Sequence, residues 1–464
     1  MTTPIRFDDS LPAFAGLVRS AWGEAAIANN LFLRDTSGRL TFVILDDNHS
    51  REERAALAER AAVVLGAYAD RGGFALASPA ELFDDTLIGM GGALSIRVTH
   101  PQYQGTVNLV DRRMVGADWL RNPEPASGAP ARFVFSSLKG GVGRSTALCV
   151  LAAHLSSTGR RVLAIDMDLE APGLGNLLLP DGTLPEFGLL DYLAETEVGS
   201  QLGDDFFLEI VGPSWLGGGR GRVDVIPAIG KRSLSFPANV LAKLARAYLV
   251  GSEANGRTLT FSDNMRRLVE RFADPLRYDS ILVDARAGLH ETTAAAIVGL
   301  GAEVLLFGLN QPQTFAGYEL LFAHLATLRQ ESGDDWRSRL HFVQAKAPVD
   351  SQMRTTFDGR MEALRRKYLD PPTISPDANI DPTALRDTFE VDWSEADSSA
   401  VDTLIDAETP GPLAVLDDDR FRSFDPLLDR KALASAAYAA SYGELIEMAD
   451  GVLAALADGG RSSR

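Results

Sequence analysis

The chain has 464 residues, a formal net charge of −18 and a hydrophobic content of 45%. This length predicts two or three packed units, and the acidic balance makes general binding to DNA phosphates unfavourable. Its single cysteine, Cys149, excludes an internal disulfide and is expected to be a small buried hydrophobe. The apolar runs fall short of the roughly 18 residues that a membrane-spanning helix needs, so we expect no membrane contact.

Residues 1–120 are predicted to form an accessory α+β domain. Helical stretches are expected at 10–29 and 51–68, and strands at 40–45 and 94–99. No enzyme motif stands out in this part of the sequence. The first ten residues lack the charged and then apolar pattern of a secretion signal, and we therefore expect a cytoplasmic location.

A linker is predicted at 121–130, which is rich in proline and small residues. An apolar strand follows and runs into a loop that contains Gly140, Gly141 and Gly143. Glycines at this spacing allow consecutive backbone N–H groups to form an anion-binding nest, and a helix starting near Ser145 adds its positive end. The loop therefore predicts a cradle for a nucleotide polyphosphate.

Two acidic strand ends follow this loop in the chain. The stretch 161–174 carries Asp166 and Asp168 about one helix-length after the loop, as in a βαβ unit. A later apolar strand, 278–284, ends in Asp284. Capping of a helix or simple solvation at a strand end is the other interpretation of Asp166 and Asp168.

The loop sequence Lys139-Gly140-Gly141-Val142-Gly143-Arg144-Ser145-Thr146 resembles the deviant Walker A loop of the ParA/MinD ATPases, KGGxGK[ST], in the SIMIBI class of P-loop proteins. Arg144 replaces the usual second lysine, which makes this a KGGVGR variant. The stretch ending in Asp284 is similar to a Walker B strand. The resemblance covers about 131–345 and implies a three-layer α/β P-loop core with a mostly parallel sheet, which binds ATP and Mg²⁺.

The resemblance also implies a role for each site residue. Ser145, Asp166 and Asp284 would serve the metal, and Asp168 would position the attacking water. Lys139 and Arg144 would meet the phosphates as catalytic cations, because phosphoryl transfer depends on positioning and charge neutralisation. Lys139 would also reach the other subunit's nucleotide, which predicts a nucleotide-sandwich homodimer. The cofactor-binding residues implied are Lys139, Gly140, Gly141, Val142, Gly143, Arg144, Ser145 and Thr146.

Several residues keep two interpretations at this stage. Arg144 preserves a charge but is a larger planar group than lysine, so hydrolysis could be slow or lost. Arg286, two residues after Asp284 of the Walker B-like strand, could sense the γ-phosphate or pair with an acid. The glycine-rich segment 215–222 is interpreted as a surface turn in preference to a second phosphate loop. The arginine-rich runs at 266–271 and 365–367 are interpreted as solvated helix faces.

Residues 346–464 are predicted to be a mainly helical C-terminal extension, because the α/β pattern ends beyond 344. An acidic stretch lies near 392–406, and an alanine-rich helix is expected over 434–455. This helix is not basic, so it does not resemble the membrane-binding tail of MinD-like proteins.

The function that the sequence favours is an ATP-dependent dimerising switch that regulates a protein partner. A nucleotide-binding sensor or scaffold without turnover is the second hypothesis, suggested by Arg144 and by the altered turn at 285–288. A DNA- or cargo-partitioning ATPase is the third, and the negative charge of the chain argues against it.

Overall fold

The computed structural model describes residues 5–462 except 47, 71, 73, 91, 200–201, 217–219, 253–257, 329–334, 371–410 and 423. The predicted acidic stretch at 392–406 therefore lies outside the described residues, as do the glycines at 217–219 of the predicted surface turn.

The N-terminal part is a mixed sheet covered by helices. Its elements are α1 (Phe7–Trp22), α2 (Glu24–Asn29), β1 (Leu31–Arg34), β2 (Leu40–Val43), α3 (Arg51–Leu65), β3 (Leu76–Ala77), β4 (Leu94–His100) and β5 (Tyr103–Asp111). The strand order is β3-β2-β1-β5-β4. The helix predicted at 10–29 is two helices, because Gly23 adopts φ +82 between them, a left-handed conformation that glycine tolerates best.

A second, larger sheet contains eight strands from the described part of the chain. The part of the chain that forms this sheet and its helices begins with β6 (Ala131–Ser137), α4 (Arg144–Ser157), β7 (Arg161–Asp166), α5 (Leu174–Leu178), α6 (Leu189–Glu197), α7 (Asp204–Glu209), β8 (Gly212–Pro213) and β9 (Arg222–Ile226). Next come α8 (Lys231–Ser235), α9 (Val240–Ala247), β10 (Gly251–Ser252), β11 (Thr258–Leu259), α10 (Phe261–Phe272), β12 (Ser280–Ala287), α11 (Glu291–Val298), β13 (Glu303–Gly308), α12 (Pro312–Leu325) and β14 (Leu340–Ala347). Strands β10 and β11 pair with each other in a separate two-stranded sheet. The C-terminal part adds α13 (Thr355–Tyr368), β15 (Leu413–Leu416) and α14 (Ser435–Ser462).

The large sheet is parallel except for its β8 edge, in the order β15-β14-β13-β6-β12-β7-β9-β8. Each face of this sheet carries its own apolar core. On β6, Val134 packs into the core that includes α10, α11 and α12, whereas Phe133 and Phe135 pack into the core that includes α4 and α14. Helices on both faces of a parallel sheet form three layers, and the predicted α/β class is confirmed.

The C-terminal part contributes to the large sheet, which the sequence did not predict. Strand β15 pairs with β14 in parallel, and α14 packs against α4, where His154 lies 3.3 Å from the Tyr438 hydroxyl. The expectation that the α/β pattern ends beyond 344 is therefore wrong. The strand is only four residues long, so its apolar run carries no usable periodicity.

Residues 116–127, which overlap the segment 121–130 predicted as a linker, lie along the large-sheet half of the molecule. We call residues 116–127 the strap. The backbone N–H of Glu124 donates to Val298 at 2.7 Å, and that of Ser127 donates to Gly301 at 2.8 Å. Arg121 adds hydrogen bonds to Thr260 at 2.7 Å and to Asp263 at 2.8 Å. These bonds hold the strap in place despite its proline-rich composition. Among the described helices, none has the length and apolar character to cross a membrane.

Candidate functional site

The candidate site lies at the carboxyl edge of the large sheet, where β6, β12 and β7 end side by side. Strand β12 runs between the other two, and Asp284 pairs in register with Phe135 of β6 and Asp166 of β7. Because parallel strands end at the same edge, three motifs that are distant in the chain meet here. The three segments that the sequence singled out, at 139–146, 166–168 and 284–286, are thus brought together.

The glycine loop connects β6 to α4 in a tight turn. Gly141 and Gly143 have φ values of +74 and +97, in the left-handed region that favours glycine. Val142 between them is buried in the core beneath α4 and anchors the loop. Gly143 is the N-cap of α4 and offers no side-chain cap. The first N–H groups of this helix and its positive dipole end are thus suited to an anion.

Ser145 and Asp284 form the closest polar contact at the start of α4. The Ser145 hydroxyl donates to Oδ2 of Asp284 at 2.5 Å, while the buried Oδ1 of Asp284 has no hydrogen-bond partner in the described structure. Burial raises the pKa of Asp284 to about 6, although Arg144 and Ser145 act in the opposite direction. A cation beside this carboxyl would favour its ionised form.

These oxygen groups fit a magnesium ion. Mg²⁺ prefers hard oxygen ligands and is commonly held by one or two protein groups together with substrate phosphates. The described residues contain no cluster of three or more acidic, histidine or cysteine side chains able to hold a metal alone. A hydroxyl and a carboxylate beside a phosphate-binding loop therefore suit a magnesium site completed by a nucleotide.

Arg144 is buried, and its guanidinium contacts protein groups. Its Nη1 donates to the carbonyl of Ala285, and its Nη2 lies 4.0 Å from Oδ2 of Asp168. The sequence predicted a phosphate contact for this side chain. In the structure its fork of donors bridges the end of β12 and the loop after β7, a reach that lysine's single ammonium lacks. The phosphate contact of Arg144 stays a prediction.

Asp166 organises the loop that follows β7. Its Oδ1 accepts from the backbone N–H of Asp168 at 3.1 Å, and its Oδ2 accepts from Gly173 at 3.1 Å and Leu174 at 3.0 Å. Burial, followed by the charge of Asp284, raises the pKa of Asp166 to about 7. The structure thus brings Asp166 beside Asp284, but both of its oxygens bind backbone N–H groups. This arrangement positions the loop, and the metal role of Asp166 stays a prediction.

Asp168 lies on that loop with partial access to solvent. Its Oδ1 accepts from the backbone N–H of Ala171 at 3.3 Å. Burial raises the pKa of the carboxyl, against the opposing effects of the Ala171 hydrogen bond and of Arg144 and Arg286. A carboxyl in this place can accept a hydrogen bond from a water molecule near the loop.

Arg286 forms an ion pair with Glu170, which also accepts from the Tyr248 hydroxyl at 2.6 Å. Of the two interpretations that the sequence left open for Arg286, pairing with an acid is the one that the structure contains. Sequence reasoning missed Glu170 and Tyr248. Glu170 stands two residues after Asp168, so the motif itself was the available signal, whereas nothing in the sequence connects Tyr248 to the site.

Lys139 lies at the start of the glycine loop, whereas Arg144 lies at its end. Lys139 is exposed, and its Nζ lies 3.4 Å from Oε1 of Gln311. It borders a pocket of about 190 Å³ that Leu138, Gly288 and Leu289 also line. Gly140 beside it is exposed, with open space where a side chain would stand.

A second pocket, of about 290 Å³, opens over the start of α4, and we call it the α4 pocket. The glycine loop supplies Gly141 and Gly143, and α4 supplies its first three residues, which include Ser145 and Thr146. Lys346, Phe421 and Arg422 from the C-terminal part complete the lining. Sequence reasoning missed these three residues because they carry no motif and lie far along the chain.

A glycine loop between a buried strand and a helix, with a hydroxyl and two acidic strand ends beside it, defines a P-loop nucleotide-binding domain. Residues 133–327 match the family described as the CobQ/CobB/MinD/ParA nucleotide binding domain. This segment of the chain is therefore similar to that nucleotide binding domain, in agreement with the resemblance found in the sequence.

Solved structures that are similar to this chain include the MinD cell division protein of Aquifex aeolicus, with 15% identity over 68% of this chain and 97% of that one, at a TM-score of 0.37. The septum site-determining protein MinD of Pyrococcus horikoshii, complexed with Mg-ADP, has 18% identity over 49% and 76% of the two chains, at a TM-score of 0.32. pNOB8 ParA bound to nonspecific DNA has 17% identity over 52% and 76%, at a TM-score of 0.33. No curated protein sequence matches the chain.

Proposed function

We propose that this protein binds ATP with Mg²⁺, hydrolyses it, and uses the nucleotide state to control its own dimerisation and the activity of a protein partner. The observation that carries this proposal is the contact between Ser145 and Asp284 at the start of α4. A buried carboxylate oxygen without a partner, beside a hydroxyl and a glycine loop, is the arrangement expected for a magnesium-nucleotide site.

Each part of the site has a separate task in this proposal. The backbone N–H groups of the glycine loop and of the first turn of α4 bind the phosphates. Ser145 and Asp284 would hold Mg²⁺, which would neutralise negative charge on the phosphates. Asp168 orients the attacking water, because its half-buried carboxylate lies on the loop next to Arg144.

The loop at 167–174 is the proposed moving element of the switch. Asp166 fixes its two ends through three backbone hydrogen bonds. Its middle is held by two ion contacts, between Asp168 and Arg144 and between Glu170 and Arg286. A nucleotide that competes for these charges would change the position of the loop and pass its state to the surface.

Lys139 supports the dimer part of the proposal. The side chain is exposed and is held by one long hydrogen bond to Gln311. A cation that is neither buried nor ion-paired in the described structure can reach the nucleotide of a second subunit. The resemblance to the ParA/MinD loop implies this role, and the exposure of Lys139 is compatible with it.

A sensor without turnover is the second candidate function. Arg144 favours it, because a guanidinium that contacts Ala285 and Asp168 leaves the usual lysine role unfilled. DNA partitioning is less favoured, since a net charge of −18 repels nucleic acid outside any local basic face. A mobility shift on DNA at physiological salt with ATP would restore that candidate.

The test is magnesium-dependent phosphate release from ATP and from GTP, measured for the wild-type protein and for Asp168→Ala. We expect release by the wild type and a loss of about 100-fold in the variant, with nucleotide affinity retained. Asp181→Ala, at an exposed turn, is the matched control. Tight nucleotide binding without release by the wild type would replace the switch with the sensor.

A further inference from the structure

We propose that Lys346 is a phosphate-binding cation of the α4 pocket, supplied by the C-terminal part of the chain in place of the engaged Arg144. This inference rests on the proposed nucleotide-binding function and adds a residue outside the segment that matches the family, 133–327. Its ligand is the polyphosphate of a nucleotide bound at the glycine loop.

The position of Lys346 follows from an irregularity in the sheet. Ala345 pairs with Val415 and Ala347 pairs with Leu416, so Lys346 is an extra residue without an opposite partner on β15. Such a bulge redirects a side chain relative to its neighbours on the strand. Lys346 is exposed and lines the α4 pocket together with Gly143, Ser145 and Thr146.

The other cations near this pocket have protein partners. Arg144 contacts Ala285 and Asp168. Arg422 pairs with Asp417 at 2.6 Å and with Asp419 at 2.8 Å. Lys139 borders the other pocket, of about 190 Å³, and its Nζ lies 3.4 Å from Oε1 of Gln311.

The side chain of Lys346, in contrast, has no hydrogen-bond or ion-pair partner among the described residues. Two acids line the space beside it, but each binds a neighbouring arginine. Asp417 pairs with Arg422, and Asp418 accepts from Arg420 at 2.6 Å. The lysine charge is therefore available to an anion in the pocket.

The backbone at Lys346 indicates that its place is determined by its surroundings. Its φ is +49, in the left-handed region that a lysine rarely adopts and that glycine or asparagine adopts more easily. Strained residues of this kind are found at ligand-binding sites, where the surrounding structure holds them in place. The pairing of β14 with β15 on both sides of the bulge provides that support.

The chemistry suits a phosphate. A lysine ammonium is a compact point charge with three donors, and it binds phosphate oxygens without the planar geometry that arginine requires. Residues from the glycine loop supply neutral N–H donors at the same pocket, so one added cation would balance part of the phosphate charge.

The strained backbone makes a clean experiment possible, because asparagine and glycine should fold at position 346 at least as well as lysine. We would measure the affinity of the full-length protein for a nonhydrolysable ATP analogue and for AMP, each with Mg²⁺, by calorimetry. Lys346→Asn and Lys346→Gly are compared with Lys346→Arg, which keeps the charge. Lys431→Asn is the control, because Lys431 is exposed in the same C-terminal part and does not line the pocket.

We expect Lys346→Asn and Lys346→Gly to lose affinity for the ATP analogue by at least about tenfold, the scale of one charge-assisted hydrogen bond. The loss for AMP should be smaller, and Lys346→Arg should retain most of the affinity. The thermal unfolding temperature of both neutral variants should be no lower than that of the wild type.

Two results would overturn the inference while leaving the proposed function intact. One is wild-type affinity in Lys346→Asn, and the other is an equal loss in Lys431→Asn, which would indicate a general charge effect. Failure of the wild type to bind any nucleotide would instead overturn the proposed function, and this inference with it.

Discussion

The two ends of the glycine loop carry similar charges in different surroundings. At the first end, Lys139 is exposed and makes one hydrogen bond of 3.4 Å to Gln311. At the second end, Arg144 is buried, donates to Ala285 and lies 4.0 Å from Asp168. The sequence motif predicts that both residues bind phosphate. In the structure, Lys139 is exposed to solvent and Arg144 is buried in the protein interior.

This difference indicates that Arg144 contributes to the folding equilibrium, whereas Lys139 contributes to the binding of a ligand or of a second subunit. A buried guanidinium between a carbonyl and carboxyl groups stabilises the fold, because its removal leaves buried polar atoms without a partner. An exposed lysine contributes little to folding and is free to meet a ligand or a second subunit. Substitutions at the two ends should therefore have opposite profiles in stability and in association.

The largest effect on stability is expected from Arg144→Ala. The change leaves Ala285 and the acids Asp168 and Asp284 without the guanidinium, so the free energy of unfolding should fall by about 2–4 kcal/mol. Chemical denaturation without nucleotide measures it. Lys139→Ala is the matched control and should change the free energy of unfolding by less than about 0.5 kcal/mol. Equal effects at the two positions would contradict the comparison.

Lys139→Ala should act on association instead. We expect it to weaken the ATP-dependent dimer by at least about 30-fold, the scale of a lost charge contact with phosphate, while nucleotide binding by the monomer changes little. Sedimentation with Mg²⁺ and a nonhydrolysable ATP analogue measures the dimer. Normal dimerisation of this variant would show that the nucleotide sandwich is wrong.

Ser145→Ala should weaken nucleotide binding only when magnesium is present. The variant removes the hydroxyl that bonds to Asp284, so the affinity for Mg²⁺-ATP should fall by about tenfold, and the affinity in excess chelator should not change. Ser157→Ala, near the other end of α4, is the control, because its hydroxyl donates to the carbonyl of His154, away from the glycine loop. A loss that is independent of magnesium would remove Ser145 from the metal site.

Arg121 in the strap extends the comparison to an arginine whose partner can be titrated. Burial of the Asp263 carboxyl raises its pKa. The hydrogen bonds from Arg121 and Thr260 act in the opposite direction, and the pKa of Asp263 is lowered to about 2. Its contribution to stability is therefore complete above about pH 4, the usual pKa of aspartate, and is lost as the pH falls through about 2. Asp263→Asn should reduce the free energy of unfolding by about 1 kcal/mol at pH 7. The difference between variant and wild type should shrink below pH 4, and a constant difference would refute this account.

The sequence predicted the parts of the site that depend on short segments. Gly141 and Ser145 follow β6, Asp166 is the last residue of β7, and Asp284 lies near the end of β12. The register of parallel strands brings such strand ends together. The layers of the large sheet were predictable for the same reason, since continuous apolar strands alternate with helices.

The remaining features depend on contacts between distant segments. Lys346 reaches the α4 pocket because β15 pairs with β14, and neither the short strand nor the bulge has a periodic pattern. The burial of Arg144 depends on its side-chain conformation and on the position of Ala285, which the motif does not encode. The strap has the composition of a linker, yet its Arg121 donates a hydrogen bond to Asp263 on α10.

The most direct test of the central claim is the molecular mass of the wild-type protein in three states, measured by light scattering. These states are the protein without nucleotide, with Mg²⁺-ADP, and with Mg²⁺ and a nonhydrolysable ATP analogue. We predict a monomer in the first two states and a dimer in the third. The same mass in all three states would contradict a nucleotide-controlled dimerising switch.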